Sequence, residues 1–179
     1  MRRFDIIHFK EIKWRGGAAV KLKRIVMGEN VKIGKGTVVG ELPLNLEQDG
    51  PWMKRKAVNA GIVIGDNVDI GANSVICYGC EEDTLIEEHC WIGHHCLIGH
   101  DAKIGRGSVI CSGVSILGHV EIGEYCYIAP KTVIRNRMKI GKNTIIGLGS
   151  VVTKNIPENV VAYGVPCQVI RKNEGGIPR

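Results

Sequence analysis

The sequence predicts an all-β solenoid, a coil of short parallel strands stacked turn upon turn, and three observations carry that prediction. An aliphatic residue recurs every six positions without a gap, at Ile86, Ile92, Ile98, Ile104, Ile110, Ile116, Ile122, Ile128, Ile134, Ile140, Ile146 and Val152. The residue that follows is Gly in half of these hexads. The residue four places after the aliphatic is mostly small: Cys90, Cys96, Ala102, Ser108, Cys126, Thr132, Thr144 and Ser150, with Cys80 in the same place after Ile76. A period of six is not helical, whereas a short strand and a corner fit into six residues. One such unit cannot bury its apolar side alone, so successive units must wind into a coil whose aliphatics point inward. Glycine after the aliphatic is expected to supply the backbone freedom that the corner needs.

Taken in order, residues 1–26 show no period and carry no structural expectation. Met27, Ile33 and Val39 begin the repeat, which then waits 25 positions until Ile64. The intervening Pro43, Asp49, Gly50 and Pro51 predict a loop insertion over residues 40–62, with Trp52 and Arg55 as candidate substrate-binding residues on it. Ile64, Ile70 and Ile76 resume the spacing, and ten positions rather than six separate Ile76 from Ile86. This smaller insertion, 77–85, is likewise expected to leave the solenoid as a loop. The repeat body spans residues 27–157, and residues 158–179 form a C-terminal extension.

Composition narrows the function classes. A chain of 179 residues is the size of one domain, and 24 glycines with only two Phe, three Trp and four Tyr suit a fold of tight corners and small-residue layers. The net charge of +6 is spread along the chain, with no aromatic-interleaved basic stripe of the kind that stacks bases, so nucleic acid is not an expected partner. Asp5 and His8 interrupt the start, and no segment has the length of a membrane span, so a cytoplasmic protein without membrane insertion is expected. Seven cysteines in such a chain are expected to be reduced. Cys77-x-x-Cys80 has no second pair at zinc-ribbon spacing, and no metal is expected; most of the cysteines occupy the small inward position and read as buried hydrophobes.

The pattern [Ile/Val]-Gly-x-x-small-x resembles that of the hexapeptide-repeat acyltransferases over roughly residues 27–172. The resemblance implies a left-handed parallel β-helix with three hexads per coil; the left hand comes from it alone, since parallel crossovers in general favour the right. Residues 149–172, from Gly149-Ser-Val-Val-Thr-Lys154 to Val169-Ile-Arg-Lys172, look like the closing segment of the members that use acetyl-coenzyme A. Residues 98–123, with Ile98-Gly-His-Asp-Ala-Lys-Ile-Gly105 and Ile116-Leu-Gly-His-Val120, are similar to the catalytic region of the amino-sugar N-acyltransferases. Those act on UDP-linked amino sugars, in the sialic-acid pathway and in the lipid A pathway. The resemblance makes His100, followed by Asp101, the general base, and the backbone amide of Gly118 the group that polarises the thioester. It implies acetyl-coenzyme A as donor, a sugar as acceptor and a homotrimer with active sites between neighbours. Some relatives carry an acidic residue before this histidine, where this chain has Gly99.

With three hexads to a coil, residues eighteen apart stack at about 4.8 Å, so His100, Gly118, Asn136 and Lys154 form one column. Lys154 then lies roughly 14 Å from His100, about the length of a pantetheine arm. Asn136, Lys154, Arg171 and Lys172 are the candidate donor-binding residues, and His119 beside Gly118 is a further candidate for the acceptor. Two rivals belong to other classes. A γ-class carbonic anhydrase holds zinc with three histidines on the same fold, and the spacing of His95 and His100 suits it, but no histidine lies between residues 9 and 88 to supply the third. A non-catalytic scaffold or ice-binding β-helix needs rows of threonine, and Thr37, Thr84, Thr132, Thr144 and Thr153 form none.

Overall fold

The computed structural model describes residues 5–7, 24–43, 46–49, 51–55 and 58–175, with the backbone alone at 5–7, 47–49 and 52–55. Every described element is a strand, and the strands build a three-faced parallel coil of six turns. The first face stacks Ile25–Met27, Ile62–Ile64, Thr84–Ile86, Lys103–Ile104, Glu121–Ile122 and Lys139–Ile140. The second stacks Lys32–Ile33, Asp69–Ile70, Trp91–Ile92, Val109–Ile110, Tyr127–Ile128 and Ile145–Ile146, and the third Val38–Glu41, Val75–Cys77, Leu97–Ile98, Ser115–Ile116, Val133–Ile134 and Val151–Val152. The register is the one the hexads demand. Ile86 pairs with Ile104, Ile92 with Ile110 and Ile98 with Ile116, eighteen residues apart each time. These isoleucines are at most 3 % exposed and form a continuous column of core.

Corner geometry differs from the expectation for glycine. The residue with positive φ stands three places after the aliphatic, not one: His89, His95, Asp101, Gly107, Gly113, His119, Tyr125, Lys131, Arg137, Asn143 and Gly149 all have φ between 53° and 72°. The glycine directly after the aliphatic serves close approach instead. A Cβ at Gly105 would come within 2.6 Å of the Glu124 amide on the next coil, and one at Gly93 would stand equally close to Ser112. Coils stacked at backbone distance leave no room there for a side chain.

The small inward positions are also more than hydrophobic filler. Ser108 donates from Oγ to the carbonyl of Gly123 at 2.9 Å, and the thiols of Cys90, Cys96 and Cys126 donate to the corresponding carbonyls of Gly105, Cys111 and Gly141 at 3.1–3.2 Å. Cysteine and serine thus do the same work, tying each corner to the next coil. None of the seven cysteines is in a disulfide. Burial pushes the thiols of Cys77, Cys90 and Cys126 up to about 11 from an ordinary 9.0, with hydrogen bonds opposing the rise at Cys90 and Cys126. The folded chain therefore holds these protons more tightly than the unfolded chain does. That contribution to stability is fully present below pH 9 and lost as pH rises through 11, at roughly 3 kcal/mol per thiol. The urea midpoint should fall across that window, and fall less in a Cys90→Ser, Cys126→Ser variant; equal slopes would show that the thiols are not responsible.

The insertions and the end depart from plain hexad counting. Residues 40–62 contain an antiparallel hairpin, Leu46–Asp49 with Trp52–Arg55. The 77–85 insertion does not leave the solenoid: Cys77, Tyr78 and Cys80 are 2–7 % exposed, folded in beneath the following coil. The repeat also continues past residue 157. Val160–Gly164 extends the second face in parallel with Ile145–Ile146, and only then does the chain reverse, so that Cys167–Lys172 returns antiparallel along it. At the other end Asp5–Ile7 pairs antiparallel with Ile25–Met27.

Candidate active site

The corner between the third and first faces gathers the titratable residues that the motif singled out. His100 and Asp101 turn this corner after Leu97–Ile98, and Gly118 and His119 turn it one coil above, after Ser115–Ile116. The stacking is direct, since the His119 amide donates to the His100 carbonyl at 2.9 Å, and the Arg137 amide to that of Gly118 at 3.0 Å. Asn136 and Lys154 continue the column, both exposed.

Asp101 is the anchor of the site. It takes the positive-φ position, which a short polar side chain tolerates, and its own amide donates to the hydroxyl of buried Thr84 at 3.0 Å. Its carboxylate is only 4 % exposed and sits in a cradle of three consecutive backbone amides. Glu81 and Glu82 donate to Oδ1 at 2.8 and 2.7 Å, and Cys80 straddles both oxygens at 3.1 Å. Burial alone would raise the carboxyl, but the hydrogen bonds from His100 and from these amides outweigh it and hold Asp101 well below the usual carboxylate range. These donors come from the 77–85 insertion, which folds in under the corner instead of leaving the solenoid as a loop. A signal was available: Ile76 lies directly under Ile98, so the four extra residues fall at the corner below His100.

An ionised Asp101 fixes the tautomer of His100. Oδ2 lies 2.6 Å from Nδ1 of His100, so Nδ1 carries the proton and donates it, leaving Nε2 with a free lone pair. Asp101, the residue after the histidine, therefore orients it, where some relatives use the residue before. Nε2 faces Gly118 so closely that a Cβ at residue 118 would collide with Nε2 and Cε1 of the ring. The Gly118 N–H finds no backbone acceptor among the described residues. A base and a hydrogen-bond donor are thus presented side by side, one coil apart. His119 packs its ring edge to face on His100, with centroids 5.0 Å apart, and brings Nε2 to 3.7 Å from Asp101 Oδ2.

Other candidates fall elsewhere. Arg171 pairs with Val161 and Lys172 with Val160, next to the corner between the first and second faces, so within one chain they do not join Lys154. The reversal after Gly164 sends them there, and hexad arithmetic ends before it. The side chains of Trp52 and Arg55 lie outside the described residues. His89, His95 and His100 stand on three different corners of the same coil and do not converge within the chain, which removes the intrachain basis for a three-histidine metal centre. His94 is structural: its Nδ1 accepts from the Ala72 amide at 2.8 Å. A surface groove of about 680 Å³ runs up the first face past Lys103, Glu121 and Lys139, and is lined by none of His100, Asp101, Gly118 or His119.

Comparison with known proteins agrees with this architecture. Residues 83–118 match a family described as bacterial transferase hexapeptide (six repeats), and residues 56–79 match one described as hexapeptide repeat of succinyl-transferase. A UDP-3-O-acylglucosamine N-acyltransferase of Xanthomonas oryzae pv. oryzae is 42 % identical over 66 residues, 36 % of this chain and 19 % of that protein. The chain spans less than a third of the length of the curated relatives it matches. Among solved structures, a UDP-N-acetylglucosamine acyltransferase from Campylobacter jejuni superposes with a TM-score of 0.71 at 23 % identity, covering 83 % of this chain and 64 % of that one. A variant of an N-acyltransferase from Bacillus cereus, solved with dTDP-4-amino-4,6-dideoxyglucose and coenzyme A, gives 0.66 at 17 % identity and 83 % of both chains. The chain thus carries stretches of hexapeptide repeat that match these two families, on the left-handed parallel β-helix fold that it shares with the solved acyltransferases.

Proposed function

We propose that the protein is an acyltransferase that moves an acyl group, acetyl in the first instance, from the thioester of coenzyme A to the amino group of a nucleotide-linked sugar. The observation that carries this reading is the Asp101–His100 pair with Nε2 turned toward the Gly118 amide. The acceptor nitrogen attacks the thioester carbonyl carbon while His100 Nε2 takes its proton, and the Gly118 N–H receives the negative charge that develops on the carbonyl oxygen. Collapse of the tetrahedral intermediate breaks the carbon–sulfur bond, and the imidazolium returns the proton to the departing sulfur. Asp101, held ionised, stabilises that imidazolium. Asn136 and Lys154 extend the column along the path of the pantetheine arm, with Lys154 placed for its phosphates. Coenzyme A in the Bacillus cereus neighbour and UDP-linked acceptors in the names of the curated relatives support these substrate classes, and the reading includes a cytoplasmic protein.

The reading includes a homotrimer with sugar-binding sites between subunits. In the upper four coils the outward positions of the second face are Trp91, Val109, Tyr127 and Ile145 and those of the third are Leu97, Ser115, Val133 and Val151, mostly apolar, whereas the first face carries Lys103, Glu121 and Lys139 there. Trp91 is 63 % exposed in the single chain. A strip of this kind needs covering, and the third face borders the His100 corner, so a neighbour lying on it adds residues to the site. Sedimentation should give a trimer at micromolar concentration, and Trp91→Glu with Val133→Glu should dissociate it; a wild-type chain that stays monomeric counts against the assembly. The function itself is tested by mass spectrometry of products from acetyl-coenzyme A with a panel of UDP- and dTDP-linked amino sugars. An acetylated sugar is expected, and the lack of any product together with no coenzyme A binding overturns the reading.

A further inference from the structure

We propose that Cys80, His100, Asp101 and His119 form a zinc site at this corner, and that zinc bound there switches the base off. The thiol of Cys80, a ring nitrogen of His100 and a carboxylate oxygen of Asp101 lie within 4.8 Å of one another. His119 lies outside that group of three, but its Nε2 stands 3.7 Å from Asp101 Oδ2, so a turn of its ring toward the ion makes it the fourth donor. One thiolate, two imidazoles and one carboxylate make a donor set that zinc takes in tetrahedral geometry, with bonds of about 2.0–2.3 Å. Those bond lengths set the donor atoms roughly 3.3–3.8 Å apart, so the His119–Asp101 separation already fits and the His100–Asp101 pair must open by under about 1 Å. Sulfur and nitrogen donors favour zinc over magnesium or calcium.

The carboxylate is prepared for such a role. Its Oδ1 is occupied by the amides of Glu81 and Glu82, and Oδ2, which shares the Cys80 amide with it, is directed at both imidazoles. A ligating carboxylate held from behind by backbone donors is what orients a metal ligand. Cys80 and Asp101 are 2 % and 4 % exposed, while the His100 and His119 side chains are 14 % and 21 % exposed, so an ion enters from the imidazole side.

The consequence for activity rests on the acyltransferase reading. Zinc takes the place of the proton between Nδ1 of His100 and Oδ2 of Asp101. A neutral imidazole that gives its Nδ1 lone pair to a metal carries its proton on Nε2, and Nε2 then has no lone pair with which to accept the acceptor's proton. The ring stays in place and the base is gone.

Cobalt(II) is the probe, since a thiolate ligand gives it a charge-transfer band. Metal-free protein titrated with cobalt should show that band at one equivalent per chain, and zinc should displace it. Cys80→Ser should abolish the band and Cys77→Ser should retain it; His119→Ala, at a partly exposed side chain, should weaken binding by at least ~10-fold with the fold intact by circular dichroism. No thiolate band in the wild type, or a band that survives Cys80→Ser, overturns the site. In the acetyl-transfer assay, one equivalent of zinc should suppress turnover and a chelator should restore it. Turnover unaffected by zinc that is bound through Cys80 overturns the switch. The cobalt spectra need no substrate, so they stand or fall independently of the transferase reading.

Discussion

Replacing His100 with alanine lowers acyl transfer at saturating substrates by roughly a hundredfold or more, the usual worth of a positioned general base. The physical reason is the acceptor's proton. A sugar ammonium has a pKa well above neutrality, and the amine that attacks must shed a proton as the tetrahedral intermediate forms. Imidazole, with a reference pKa of about 6.5, is matched to that transfer near neutral pH. The fold does not depend on the ring, because the corner is held by backbone ladders and by the Ile98 and Ile116 columns beneath it. Thermal stability and coenzyme A affinity should therefore stay close to wild type. His100→Asn should be almost as inactive despite a similar shape, since an amide has no lone pair basic enough to accept the proton. Steady-state kcat is the measurement, and near-normal turnover in His100→Ala would falsify general-base catalysis from this residue.

The column on which this rests was legible in the sequence because it follows from counting. Eighteen residues to a coil put Gly118 over His100 before any coordinate is known, and the pairing of Ile98 with Ile116 obeys that count. The orientation of His100 was not legible. It depends on where three backbone amides point, and Cys80, Glu81 and Glu82 give no side-chain pattern that announces an anion cradle. Glycine was misread for a related reason: Gly93 and Gly105 leave room for the backbone of the next coil, and a preference for glycine looks the same in sequence whether it arises from φ or from close approach. Hexad counting does not reach Arg171 and Lys172, because the repeat is broken after Val152 and the chain turns back at Gly164 along the second face. Periodicity therefore fixes what the repeating backbone dictates, and it is silent where the chain departs from the repeat, which is where Asp101 obtains its partners.

Gly118→Ala tests whether that geometry is what the reaction uses. Residue 118 is not in the left-handed region of φ, so alanine imposes no backbone strain, and the N–H proposed as oxyanion donor remains. The atoms nearest to the added methyl group are all of the His100 ring, Nε2 and Cε1 first, and the imidazole must swing away to admit it. Swinging breaks the 2.6 Å bond from Nδ1 to Asp101 and removes the lone pair from the approach over residue 118. Turnover should fall by about a hundredfold, as in His100→Ala, while the melting temperature stays near that of wild type. The double variant distinguishes the cause. If both substitutions act through the position of one ring, His100→Ala with Gly118→Ala is no slower than either alone, the non-additivity expected of residues that work as a unit. A double variant slowed by the product of the two single effects would mean that Gly118 acts through its own amide rather than through the ring, and a Gly118→Ala enzyme of normal turnover would show that Nε2 does its work from another place.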